Sequence, residues 1–191
     1  MSAQQEIFVS VDVEAAGPIP GEYSLLSIGA CDVDDETRTF ACEIKPINHN
    51  ADPKALAISR LSLEALVRSG LAPEAAMRAF ASWTENLAQT NQTLVFVGFN
   101  APFDWSFVNY YFHKYLGRNP FGFAALDIKA YYMGRIGCAW SETKSSSIAA
   151  NVKPVRHGDH DALHDALYQA ELFRLIRAKA PTPPSEATSL P

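Results

Sequence analysis

The sequence predicts an α/β fold in which a mixed five-stranded sheet is flanked by helices. Two kinds of pattern predict it: a strictly alternating apolar and polar stretch near the N-terminus, and later apolar stripes with the spacing of helices. Strand-like and helix-like segments follow the order βββααβαβαα, in which helices cover a sheet. With 191 residues, 48% of them hydrophobic, the chain is long enough to bury one core without disulfides or structural metal.

Three strands are predicted first along the chain. Residues 7–14 alternate apolar and polar side chains, so Asp12 and Glu14 leave the same face at the end of the first strand. Residues 24–33 and 37–44 lie on either side of an acidic turn and predict a hairpin that extends the sheet.

Two helices are predicted next. Asp52 is a cap residue before Pro53, which suits the first position of a helix. A second helix begins near Pro73, and its apolar face is formed by Ala76, Phe80, Trp83 and Leu87.

The second half of the chain predicts two more strands and three more helices. The apolar run 93–99 is typical of a strand covered on both faces. The segment Asn100-Ala-Pro-Phe-Asp104 follows it directly and predicts the start of a helix that reaches Leu116. A short strand at 123–128, a short helix at 146–152 and a last helix with an apolar stripe from Leu163 complete the prediction. Residues 181–191 are rich in proline and predict a disordered tail after a single domain at 1–180.

Composition and charge narrow the classes of protein. The net charge of −5 argues against coating of nucleic acid by bulk electrostatics. Between Trp105 and Gly158, however, the sequence contains seven basic residues and only two acidic ones. This local excess of positive charge fits either an anion-binding surface or a solvated face of mixed charge.

Cysteine usage and the N-terminal sequence predict a cytoplasmic protein with no membrane partner. Cys31, Cys42 and Cys138 are odd in number and form no C-x-x-C pair, so neither a disulfide framework nor a zinc ribbon is indicated. No secretory signal precedes the first strand. The apolar runs fall far short of the roughly 20 residues of a membrane span.

Four carboxylates fall at element ends that can converge: Asp12, Glu14, Asp104 and Asp165. Asp165 shares a helical stripe with Leu172, so it faces packed surface. Carboxylates about 4 Å apart would repel by roughly 4 kcal/mol per pair at an effective dielectric near 20, so protons or cations must neutralise them. Oxygen ligands favour Mg²⁺ or Mn²⁺, and a pair of such ions supports phosphodiester hydrolysis. A neutral imidazole of His160, five residues before Asp165, can accept a proton from the attacking water.

Three motifs carry these residues: Asp12-Val-Glu14, Asn100-Ala-Pro-Phe-Asp104 and His160-Asp-Ala-Leu-His-Asp165. In type, order and rough spacing they resemble the three signatures of the DEDDh 3′–5′ exonucleases, over residues 6–178. The resemblance implies an RNase H-like fold and the release of nucleoside 5′-monophosphates from 3′ ends of single-stranded DNA or RNA. It also implies two ions, Mg²⁺ or Mn²⁺, held by the four carboxylates, with His160 as general base.

The resemblance predicts substrate contacts as well, with one departure from the family pattern. Threonines commonly follow the D-x-E motif, but this chain has Ala15 and Ala16, so we expect backbone groups of the Ala15–Gly17 loop to contact the terminal nucleotide. Further substrate contacts are expected from the residues around Asp104 and before His160: Asn100, Phe103, Trp105 and Arg156. The two aromatic rings suit stacking on an unpaired base, at roughly 1–3 kcal/mol each, and the arginine suits a phosphate.

Other interpretations stay open at this point. Each residue alone has an ordinary role, such as the polar end of a strand, a first-turn helix carboxylate or a surface histidine. His157, His160 and His164 have spacings that suit zinc and resemble HD-domain phosphohydrolases, although those enzymes are all-helical. A noncatalytic nucleic-acid-binding or scaffolding module on the same fold is a further alternative. A homodimer is an expectation by analogy alone, and the sequence does not choose between DNA and RNA.

Overall fold

One mixed sheet lies at the centre of the computed structural model, which describes residues 5–180. Its strands are β1 (Gln5–Ala15), β2 (Leu25–Asp32), β3 (Thr39–Glu43), β4 (Gln92–Gly98) and β5 (Ala125–Asp127), in the spatial order β3-β2-β1-β4-β5. β2 is antiparallel to β1 and to β3, whereas β1, β4 and β5 run parallel. The predicted five-stranded mixed sheet is therefore confirmed.

Seven α-helices flank the sheet in the described part of the chain. They are α1 (Pro53–Ser59), α2 (Leu63–Ser69), α3 (Pro73–Leu87), α4 (Pro102–Leu116), α5 (Ile128–Ile136), α6 (Ser145–Val152) and α7 (Ala162–Ala178), with a 3₁₀ turn at Trp140–Glu142. Among these residues, no helix is long and apolar enough to cross a membrane. The predicted tail at 181–191 lies outside the described residues.

Two of these helices, α2 and α5, are absent from the sequence-based prediction. Arg60 adopts a left-handed conformation (φ 59°) that ends α1, and the Ser62 side chain then caps α2. Asp127 accepts a hydrogen bond from the Ala130 N–H at 2.7 Å and so starts α5 directly after β5. In both places a single capping side chain sets where the helix begins, and a periodicity argument does not resolve such a start.

The predicted alternation in β1 is confirmed, and its two faces meet two different cores. Val9, Val11 and Val13 face a core formed largely with α3 and α4. Phe8 faces the opposite core, formed with α5, α6 and α7, and Ser10 on that face donates its hydroxyl to the Ala166 carbonyl of α7 at 2.8 Å. Residues at even positions of β1 therefore face α7.

A glycine lets α7 approach the sheet closely. Gly29 of β2 lies opposite Asp12 in the β1–β2 register. A Cβ atom at Gly29 would lie 2.1 Å from the carbonyl carbon and oxygen of Ala162 and 2.2 Å from the nitrogen of Leu163. The first turn of α7 packs directly on this glycine, which no larger residue permits without movement of backbone.

Candidate active site

The carboxyl ends of β1 and β4 meet at one edge of the sheet because these strands are parallel neighbours. α4 begins just after β4 at this edge, and α7 crosses the face above it. Between them lies an open cleft of about 470 Å³. It is lined by Asp12, Val13, Glu14, Phe99, Asn100, Phe103, Asp104, Ser145, Gly158, His160, Asp165, Tyr168 and Gln169. All four predicted carboxylates and the predicted histidine therefore line one cleft.

The turn between β4 and α4 places Asp104. Asn100 adopts a left-handed conformation (φ 64°), and the Ala101 N–H donates to Asp127 Oδ2 at 2.8 Å, which ties this turn to the end of β5. Asp104 is buried in the first turn of α4. Its Oδ1 accepts the Val13 N–H at 3.1 Å, so the carboxylate is held against the end of β1.

Glu14, His160 and Asp165 form the more open side of the cleft. Each offers a ligand atom, and these atoms all lie within 4.8 Å of one another. Both oxygens of Asp165 accept backbone N–H groups from the preceding loop, from Asp159 at 2.9 Å and from His160 at 3.3 Å. The His160 backbone is left-handed (φ 65°) and the residue is exposed at the mouth of the cleft.

Asp12 lies deeper in the cleft and is half-buried. The side chain of Gln169, one turn after Asp165 on α7, donates its Nε2 to Asp12 Oδ1 at 2.6 Å. Burial raises the pKa of Asp12 well above its ordinary value, and the charges of Asp104, Asp165 and Glu14 raise it further.

Repulsion and burial act on the other acids of the cleft as well. Burial, with smaller contributions from Asp165 and Asp161, raises the pKa of Glu14 to about 7. Burial also raises the pKa of Asp104. A divalent cation relieves both causes because it pairs with carboxylate oxygens and replaces their lost hydration. The donor set contains only oxygen apart from one imidazole and fits a hard cation such as Mg²⁺ or Mn²⁺.

Comparison with known proteins identifies the family. The family model RNase_T, described as Exonuclease, matches residues 9–173. The chain belongs to this exonuclease family. The 3′-5′ DNA exonuclease Cap18 of Escherichia coli is 58% identical over 176 residues, which cover 92% of this chain and 94% of Cap18.

Solved structures confirm the fold of this exonuclease. The nuclease domain of 3′hExo, a DEDDh family member bound to rAMP, has a TM-score of 0.72 at 12% identity, covering 93% of this chain and 94% of that domain. E. coli Exonuclease I in complex with a dT13 oligonucleotide has a TM-score of 0.69 at 16% identity, covering 91% of this chain and 41% of Exonuclease I. The predicted resemblance to DEDDh exonucleases is confirmed, and divalent metal dependence is implied by the family.

Of the four side chains expected to contact substrate in this exonuclease, two line the cleft and two do not. Asn100 and Phe103 line the cleft. Trp105 instead packs edge-on against the core ring of Phe96, with centroids 5.3 Å apart. Arg156 lies outside the cleft lining, and its guanidinium is 2.7 Å from Glu36.

The loop after the D-x-E motif of the exonuclease faces the core. Ala15 and Ala16 are buried. Ala16 donates its N–H to the Ser24 carbonyl at 2.8 Å and its carbonyl accepts the Asp52 N–H at 2.7 Å, so both of its backbone groups are hydrogen-bonded within the protein. Gly17 packs against the ring of Tyr23, which lies 2.4 Å from where a Cβ atom would be. The contacts of Ala15, Ala16 and Gly17 with the terminal nucleotide stay predictions.

The HD-type alternative does not fit this exonuclease. Its central sheet differs from the all-helical architecture that the alternative requires. Of His157, His160 and His164, only His160 lines the cleft. His164 is hydrogen-bonded through its Nδ1 to Asp159 Oδ2 at 3.0 Å. The one group with metal-ligand spacing among the described residues is Glu14, His160 and Asp165.

Several residues of the exonuclease cleft are absent from the sequence-based prediction. They are Val13, Phe99, Ser145, Gly158, Tyr168 and Gln169. Gln169 carries a usable signal because it lies four residues after Asp165, among the buried apolar positions of α7. Gly158 gives no such signal, because its closeness to Asp165 follows from tertiary packing alone. A Cβ atom at Gly158 would lie 2.9 Å from Asp165 Oδ1.

Proposed function

We propose that this exonuclease removes nucleoside 5′-monophosphates from the 3′ ends of single-stranded DNA. The observation that carries the proposal is the gathering of Asp12, Glu14, Asp104 and Asp165 around one cleft beside His160. The direction of cleavage and the choice of DNA over RNA are supported by the 58% identity to a 3′-5′ DNA exonuclease.

Two divalent ions, Mg²⁺ or Mn²⁺, belong to the proposed site, with Asp12, Glu14, Asp104 and Asp165 as their ligands. Bound ions of this kind supply positive charge to the attacking and leaving oxygens of a phosphodiester. The oxygen-rich donor set and the mutual repulsion of the carboxylates support this assignment.

His160 is the proposed general base. It is exposed at the mouth of the cleft, within 4.8 Å of ligand atoms on Glu14 and Asp165. From this position its imidazole can accept the proton of the attacking water and pass it to solvent. The left-handed loop that carries it is fastened to Asp165 by two backbone hydrogen bonds, which keep the base close to the acidic cluster.

The substrate side of the proposal rests on Asn100 and Phe103. Both line the cleft beside Asp104, where the Phe103 ring suits stacking on the terminal base. Trp105 and Arg156 stay predicted contacts. Trp105 packs on Phe96, and Arg156 must leave Glu36 to reach a phosphate.

A digestion assay tests the proposal. A 5′-labelled single-stranded oligodeoxynucleotide with Mg²⁺ or Mn²⁺ should give a ladder shortened from the 3′ end, together with free 5′-mononucleotides. A matched oligoribonucleotide should be degraded more slowly. His160→Gln should lower the rate by about 10²–10⁴-fold.

Three results would oppose the proposal. Internal cleavage or shortening from the 5′ end contradicts the reaction type, and faster loss of RNA contradicts the choice of DNA. An undiminished rate in His160→Gln removes the base assignment alone.

Asp165→Asn tests metal binding separately, and calorimetry should show reduced Mn²⁺ stoichiometry in this variant.

The setting of the enzyme is also part of the proposal. A single exonuclease domain at 1–180 is supported by the family match over residues 9–173. A cytoplasmic location is supported by three cysteines that form no disulfide with one another. A homodimer rests on analogy, and light scattering of the purified protein tests it directly.

A further inference from the structure

Gln169 is a buried amide with both polar atoms bonded. It lies on α7 and is 5% exposed. Its Nε2 donates to Asp12 Oδ1 at 2.6 Å, and its Oε1 accepts the Phe99 N–H at 2.9 Å. One side chain therefore joins α7 to the ends of β1 and β4.

The two partners determine which way the amide points. The backbone N–H of Phe99 can only donate, so the oxygen of Gln169 must face it. The NH₂ group is then directed at Asp12. This arrangement removes the usual ambiguity between the two ends of a glutamine amide.

The surroundings of Gln169 show why its bonds matter. Ala166, Ala170 and Phe173 of the same helix are buried and apolar. An amide in such a place is costly unless it is hydrogen-bonded. An apolar residue would satisfy packing on this face of α7, so packing alone does not account for a glutamine here.

Asp12 shares the cleft with three other carboxylates. The charges of Asp104, Asp165 and Glu14 all act on it, and mutual repulsion drives such groups apart. Gln169 offers a neutral donor that opposes this repulsion and fastens one carboxylate oxygen in place.

We propose that Gln169 is a positioning residue that presets the Asp12 carboxylate for divalent-cation binding. This inference rests on the proposed function, because it assigns Asp12 as a metal ligand. Both polar atoms of the Gln169 amide are bonded to protein atoms, so this residue would act on the metal site through Asp12. Partners of this kind that orient a metal ligand typically change metal affinity by about 10–100-fold.

The test replaces Gln169 with methionine, which keeps length and volume but loses both hydrogen bonds. We expect Gln169→Met to weaken Mn²⁺ binding by about 10–100-fold, measured by calorimetry on the full chain. The exonuclease rate should recover partly at high Mn²⁺, so the Mn²⁺ concentration for half-maximal rate rises more than kcat falls.

Thr84→Val is the matched control. The Thr84 hydroxyl is buried and donates to the Ala81 carbonyl at 2.9 Å within α3, outside the cleft lining. This variant also loses a buried hydrogen bond, but it should bind Mn²⁺ like the wild type. If Gln169→Met does not fold, Gln169→Ala leaves room for a water to meet the Phe99 N–H and gives the same comparison.

A double-mutant cycle separates action through Asp12 from a general structural role. In the Asp12→Ala background, Gln169→Met should cause no further loss of Mn²⁺ affinity. An equal loss in both backgrounds overturns the inference, as does unchanged affinity in Gln169→Met. If either of these two results is obtained but the wild-type protein binds Mn²⁺ and degrades DNA, the inference fails and the proposed function is retained. A wild type that does neither removes the proposed function and the inference together.

Discussion

Replacement of Gly29 by alanine should damage the site by displacing α7. Gly29 lies opposite Asp12 in the β1–β2 register, and the first turn of α7, the helix that carries Asp165, packs on it. The added methyl group would lie 2.1 Å from the backbone of Ala162, whereas carbon atoms ordinarily meet at about 3.5–4.0 Å. Either α7 or β2 must therefore move by roughly 1.4 Å or more.

The size of this movement sets the expected effects. A misplacement of about 1 Å near reacting groups costs on the order of 10²-fold in rate, because Asp165 shifts with α7 away from Asp12 and Glu14. Overpacking of this kind also lowers the free energy of unfolding by about 1–3 kcal/mol. We expect both effects in Gly29→Ala, together with weaker Mn²⁺ binding.

Gly134→Ala is the matched control for this substitution. Gly134 lies in α5 with nothing within 4 Å of its Cβ position, so alanine should raise the free energy of unfolding by about 0.5–1 kcal/mol without changing the rate. Urea unfolding and the digestion assay measure both quantities. A Gly29→Ala protein with wild-type rate and stability would refute the close approach of α7 to β2.

Further predictions concern pH, the loop before α7 and the cysteines. Burial raises the pKa of Glu14 to about 7, so between about pH 4.5 and 7, with chelator present, the folded chain holds a proton that the unfolded chain has lost. The free energy of unfolding should therefore fall as pH rises through this range. A free energy of unfolding that rises with pH in urea experiments, or a pH dependence that is the same in Glu14→Gln, contradicts this. Glu171 of α7 accepts two backbone N–H groups of the loop before α7, at 2.7 and 2.9 Å. Glu171→Ala should therefore lower the free energy of unfolding by about 1–3 kcal/mol and speed hydrogen exchange in this loop. The control Glu74→Ala, which removes an exposed ion pair, should lower it by less than about 1 kcal/mol. Burial raises the pKa of the buried Cys31 and of the half-buried Cys42 to about 12. Both thiols should therefore react slowly with iodoacetamide until the chain unfolds, and fast labelling of either one in the folded protein contradicts the raised pKa.

Much of the fold follows from periodicity and caps. β1 is predicted because its apolar and polar side chains alternate. α4 is predicted with the observed ends, Pro102 and Leu116, because Pro102 suits the first helical position and Asp104 the first turn. α2 and α5 are not predicted, since their starts depend on single capping side chains, Ser62 and Asp127.

The candidate site follows the same division. Its carboxylates and His160 are predicted because they stand at element ends in recognisable motifs. The contacts of Gln169 and the close approach at Gly29 depend on how α7 lies across the sheet, which no local pattern encodes. Arg156 is near His160 in sequence, but its loop directs it to Glu36 instead.

The central claim is that four carboxylates from β1, α4 and α7 hold two divalent ions in one cleft. Anomalous diffraction from crystals grown with Mn²⁺ tests it most directly. We expect two Mn²⁺ peaks about 3.5–4 Å apart, within ligand distance of Asp12, Glu14, Asp104 and Asp165. A cleft without Mn²⁺, or Mn²⁺ bound only elsewhere on the protein, would contradict it.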